Sequence, residues 1–158
     1  MKTLQQITLF LHLLAAVAWI GGTLFLTMVG PALRKLDFAN ANLYMRTMNR
    51  SFKIASWHAV ALVVLTGVAN VYFQGGFDDL LAYLKARPAM HAKLTAVIAM
   101  IVIKYVHDFV TGPRAAAAAA ESTAIPDRPS GAWKATMALA RVNLVLGILV
   151  LYLAVLLR

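Results

Sequence analysis

The chain has 158 residues, of which 61% are hydrophobic and only 13% charged, with a mean hydropathy of +0.74. Soluble domains run at about 45–50% apolar and about 25% charged. A chain this size cannot hide such a surplus in its own core, so a soluble globular enzyme is excluded and the lipid bilayer must take up the remainder. Fifteen Lys and Arg against six Asp and Glu give a net charge of +9. These cations gather at the ends of apolar runs, which fits the positive-inside rule and anionic headgroups and argues against nucleic acid as a partner. With no cysteine, disulfides, thiolate metal sites and thiol catalysis are excluded. Any metal is left to His, Met, Lys or carboxylate.

Four apolar stretches reach the roughly 20 residues a bilayer crossing needs: Ile7 to Leu33, Ile54 to Gln74, Ala89 to Val110 and Ala135 to Leu157. No alternation of period two appears, so a β-barrel is not expected. The reading is all-α: a single integral membrane domain, an up-down-up-down four-helix bundle in a bacterial-type inner membrane. Lys2, the apolar run and Ala16-Val17-Ala18 imitate a signal peptide. The run continues unbroken through Trp19 to Met28, however, so a retained first helix is expected. Between the first two spans, Arg46, Arg50 and Lys53 share a helical face, suggesting an interfacial helix. Gly75-Gly76 breaks the second span, Phe77 to Arg87 forms a short surface helix ended at Pro88, and Gly112-Pro113 closes the third. Arg114 to Gly131, with six consecutive alanines, reads as a low-complexity connection. Eight Lys and Arg lie in the first and third connections against four on the opposite side, which places both termini on the non-cytoplasmic side.

The informative residues are polar ones inside the spans. Lys93, Lys104, Arg141, His12, His58, His91 and His107 lie within or at the edges of apolar runs. Ionisable groups there are costly and usually face a site. In an up-down-up-down bundle the first and third helices run parallel, so His12 and Lys93 share one depth, roughly 10 Å from the midplane at about 1.5 Å per residue. His58 and His107 share the opposite leaflet, about 21 Å from the Lys93 level. Lys93, Val97, Met100, Lys104 and His107 make one stripe of the third helix, which turns His91 away from it. His12, Ala16, Trp19 and Thr23 make the matching stripe on the first, beside Gly21-Gly22. No carboxylate is expected deep in any span, which argues against Mg²⁺, Ca²⁺ and a carboxylate proton relay. Two nitrogen ligands at one depth, without thiols, suit haem b, a flat apolar group with two propionates.

Leu11-His12-Leu13-Leu14, Ala18-Trp19-Ile20-Gly21-Gly22-Thr23-Leu24-Phe25 and Pro31 resemble the first helix of the copper-resistance protein D (CopD) family. Leu65-Thr66-Gly67-Val68 and Arg141-Val142-Asn143 are similar to its later helices. The same framework resembles the small HemJ-type protoporphyrinogen oxidases through His12 with Trp19 and through His91-Ala92-Lys93-Leu94. That second resemblance implies axial haem ligation by His12 and Lys93. His58 and the glycine pair lean toward the CopD side.

The expectation is a b-type haem protein of membrane electron transfer. His12 and Lys93 hold one haem, and His58 with His107 would hold a second or would only hydrogen-bond each other or Asp108 near the surface. Arg141 and Lys104 are expected to meet the cofactor's propionates or an internal charge partner, and Trp19 to contact the cofactor. Two alternatives stay open: a protoporphyrinogen-oxidising enzyme, and a copper transport or resistance protein using His and Met without haem. The bilayer is the expected partner. The sequence leaves a redox partner, a quinone and homodimerisation open.

Overall fold

The computed structural model describes residues 2–33, 38–75, 77–120 and 130–156. The expectations that fall on 34–37 and 121–129 lie outside them. Helix α1 runs Lys2–Leu33, α2 Phe38–Phe73, α3 Leu80–Lys85 and α4 Pro88–Val106. A π-helical turn, His107–Thr111, leads into α5, Gly112–Ala120, and α6 spans Gly131–Leu156. No strand occurs among the described residues. Four segments are long and apolar enough to cross a membrane: Lys2–Gly30, Thr47–Phe73, Pro88–Ala118 and Gly131–Leu156. The chain is a multi-pass, all-helical membrane protein.

Directions follow from the contacts. Thr8 meets Asn70 and His12 meets Thr66, so α1 and α2 are antiparallel. Lys53 and Trp57, early in α2, meet Asp108 at the far end of α4. Helices α1 and α4 therefore run the same way, as up-down-up-down order requires. Helix α1 packs closely on α2, and α4 on α6; the two hairpins meet most closely where α1 touches α6. The core between them is small, built from Trp19, Val60, Ala96, Met100 and Val150. The outside is apolar: Phe10, Val17, Met28, Leu65, Ile98, Val145 and Val155 are all exposed. Water would oppose that surface, whereas lipid tails accept it.

Local chemistry sets the ends. Asp79 caps α3 by accepting from the Ala82 N–H at 2.9 Å, and Pro88 opens α4 at a position where its missing N–H costs nothing. Gly75 ends the second span with φ +72°, a conformation that favours glycine. Two expectations are corrected. The basic segment before the second span is no separate interfacial helix, because α2 continues from Phe38 into the span without a break. Gly112-Pro113 does not close the third span either. The Gly112 N–H bonds back five residues to the His107 carbonyl, and Pro113, with no N–H to place, follows at the start of α5.

Candidate functional site

One polar centre lies where the start of α1 meets the end of α2. The Thr66 hydroxyl donates to the Leu62 carbonyl at 2.5 Å, one turn back on α2. Its proton is thereby committed, so toward His12 the hydroxyl oxygen accepts, and the imidazole donates from Nδ1 at 3.0 Å. The Val63 carbonyl adds a second acceptor on that wall. This fixes the tautomer: Nε2 carries the lone pair, the arrangement in which a second partner holds a ligating histidine. Gly67 clears the space, since a Cβ there would stand 3.3 Å from His12 Cε1. Thr66 and Gly67 thus explain Leu65-Thr66-Gly67-Val68: one orients the ring and the next makes room. Lys93, near the start of α4, is half-buried. His91 is exposed, and Trp19 is packed in the apolar core, where it touches Val60 and Met100 rather than lining an open site.

A second polar centre lies at the opposite end of the spans, on Asp108. Its Oδ2 accepts from Lys104 Nζ at 2.7 Å and from Trp57 Nε1 at 3.0 Å, and its Oδ1 accepts from His107 Nδ1 at 2.8 Å. Lys53 Nζ donates to the Asp108 backbone carbonyl at 3.0 Å and stands 3.8 Å from the Phe109 ring centre. The two side chains of the ion pair are 6% and 8% exposed. Asp108 is neutralised by the lysine one turn before it. One expectation is overturned here. The pairing of His58 with His107 is not formed: His58 is exposed, its Nδ1 bonded to the Ile54 carbonyl at 2.9 Å. The residue that faces inward at that level is Trp57, one position and about 100° away. Arg141 is also exposed, and Lys104 takes the internal-charge role of the two expected for it, committed to Asp108. The signal that could have found this centre was the Lys104/Asp108 spacing of four, which puts opposite charges on one helical face.

A family model described as Copper resistance protein D matches residues 45–157, which takes in almost the whole of α2 and everything after it. The chain belongs to the CopD family. It is also 29% identical to an uncharacterized protein of Aquifex aeolicus (strain VF5) over 157 residues, 98% of this chain and 96% of the relative. No solved structure matches. The HemJ-type resemblance finds no counterpart in these comparisons. Among its described residues this CopD-family chain has no group of three or more His, Asp or Glu able to cage a metal ion. An open groove of about 310 Å³ lies between α1 and α2, lined by Gly22, Phe25, Leu26, Met48, Ser51, Phe52 and Ala55. None of these is a histidine or lysine, so the groove offers no nitrogen ligand.

Proposed function

We propose that this chain serves copper resistance by passing copper through or along the membrane, with His12 as a ligand station for the moving ion. The observation that carries the reading is the oriented imidazole: Thr66 holds Nδ1, and Nε2 is presented as a donor atom inside a membrane span. Imidazole nitrogen suits copper. A station for an ion in transit must bind weakly enough to release it, and one histidine without a cage meets that requirement better than a closed site would. The basic bias of the connections supports an orientation with both termini outside the cytoplasm. The test is copper binding by purified protein in detergent, measured by equilibrium dialysis with metal analysis. Wild type should bind copper and His12→Ala should lose that binding; equal binding by both would sink the proposal.

A second reading is favoured by one specific observation, that His12 and Lys93 lie at the same end of two helices that run the same way. Two such nitrogens would suit a b-type haem, which would supply one-electron chemistry. His12 and Lys93 would hold it. A pyridine haemochrome assay on the same purified protein decides: haem that is lost in both His12→Ala and Lys93→Ala supports this reading, and copper without haem supports the first.

A further inference from the structure

The second polar centre joins the two hairpins. Between the spanning helices of the α1–α2 hairpin and those of the α4–α6 hairpin, the hydrogen bonds found among the described residues both end on Asp108. Trp57 Nε1 donates to its carboxylate at 3.0 Å, and Lys53 Nζ to its backbone carbonyl at 3.0 Å. The hydrogen bonds that hold His12 in place belong to one hairpin: Thr66 and Asn70 on α2 answer His12 and Thr8 on α1. The two hairpins are thus internally fastened units that meet each other through apolar packing, with the hydrogen bonds between their spanning helices confined to one end.

The tie is also placed on a part of the helix built to give. The turn His107–Thr111 is π-helical, with its hydrogen bonds one residue wider than in the flanking helices. Such turns are rare inside helices and recur at functional sites. Here it brings His107 and Asp108 together on the same polar node, and Gly112 is needed to close it, since a Cβ there would stand 2.7 Å from the His107 carbonyl oxygen. Just inside the tie, Val60 and Trp19 fill the seam with apolar side chains, so an ion leaving His12 toward this end meets a closed door.

We infer that the Trp57/Lys53–Asp108 tie is a gate, closed in this structure, through which the His12 station communicates with the membrane face at the Asp108 end. Opening separates the two hairpins as units, the way packed bundles of transporters rock about a fixed site. The Lys104–Asp108 ion pair lies within α4 and its π turn, so it survives opening and keeps the carboxylate charged and oriented. This gate rests on the reading of His12 as a station for copper in transit.

The absence of cysteine makes a clean test. Val60→Cys puts a single thiol in the buried seam, and its reaction with a membrane-impermeant maleimide is followed in vesicles of each orientation. With the tie intact the thiol should be protected. With Trp57→Phe and Lys53→Met added, both hydrogen bonds to Asp108 are lost while the ion pair and the ring packing on Phe109 remain. Losing two bonds of this kind should raise the labelling rate about tenfold or more, and only from the face that carries Asp108. An unchanged rate, labelling that is equal from both faces, or fast labelling with the tie intact overturns the gate. If the double change reduces helical content, Lys53→Met alone is compared: a faster rate supports the gate and an unchanged one overturns it. Copper binding is measured on the same samples. Its absence from every variant including the tie-intact chain refutes the station at His12 and leaves the labelling result to decide the gate.

Discussion

Removing the Asp108 carboxylate should be among the most damaging single changes in the bundle, and the structure sets its size. Asp108→Ala leaves Lys104, 6% exposed, with no counter-charge, and it orphans the Trp57 indole N–H and the His107 Nδ1–H as well. Breaking a buried ion pair by deleting one partner costs about 3–5 kcal/mol. An orphaned buried donor adds about 1–3 kcal/mol, less than additively because the groups share one carboxylate. The diagnostic comparison is the double change Lys104→Met, Asp108→Leu. Apolar replacement of a buried pair is often neutral or stabilising by about 1–4 kcal/mol, and the lost Trp57 partner takes back about 1–3 kcal/mol of that. The double variant should therefore lie within about 3 kcal/mol of wild type and be more stable than the single variant. The assay is reversible unfolding in mixed micelles of increasing denaturing detergent, read by circular dichroism. A cost below about 1 kcal/mol for Asp108→Ala, or a double variant less stable than the single, would show that Lys104 and Asp108 are not the coupled buried pair described here.

Other consequences are as specific. A Cβ at Gly22 would collide with the Phe52 ring, whereas one at Gly21 meets nothing within 4 Å. Gly22→Ala should therefore cost about 1–3 kcal/mol in the same unfolding assay and Gly21→Ala should not destabilise. Gly112→Ala forces a methyl against the His107 carbonyl, so it should disturb the π turn and shift tryptophan emission through the Trp57–Asp108 bond, with helical content retained. Thr66→Val keeps the shape beside His12 but removes the acceptor that fixes its tautomer. Copper affinity measured by dialysis should fall about 10–100-fold, the range for losing an outer-shell partner; unchanged affinity would mean that ring orientation is set elsewhere.

The four spanning helices and their alternating directions were legible because apolar runs of bilayer length admit few other arrangements. The shared end of His12 and Lys93 was legible for a related reason: on parallel helices, counting residues from each span centre gives depth, and depth does not depend on which way a side chain points. Facing was harder. On α4 a 4-3-4-3 stripe pinned it, so Lys93, Met100 and Lys104 turn inward and His91 outward. On α2 no such stripe was used, and depth alone chose His58 where the fold turns Trp57 inward. A single residue of helix is 1.5 Å of depth but about 100° of rotation, so an argument from depth can be nearly right in level and wrong in partner.

Asp108 was legible as a surface partner for His107, but its pairing with Lys104 escaped for a different physical reason. Asp108 sits where the apolar run thins before Gly112-Pro113, and a carboxylate beside a helix-breaking pair reads as the water-exposed end of a span. The π turn reverses that inference. By carrying the helix through the proline to Ala120, it keeps Asp108 inside the bundle, where only a charge-assisted network can hold it. Lys104 supplies the charge, Trp57 and Lys53 come across from α2, and the ring of Phe109 lies under the Lys53 ammonium. Of the two roles open to Lys104, a cofactor's acid groups or an internal charge partner, the fold takes the second and spends it on the protein's own carboxylate. That exchange separates the two ends of the bundle chemically. At the His12 end, the imidazole offers a lone pair and needs something to accept it; at the Asp108 end, the carboxylate's two oxygens are already bonded to the protein itself. A ligand is therefore to be sought at the first, and movement at the second.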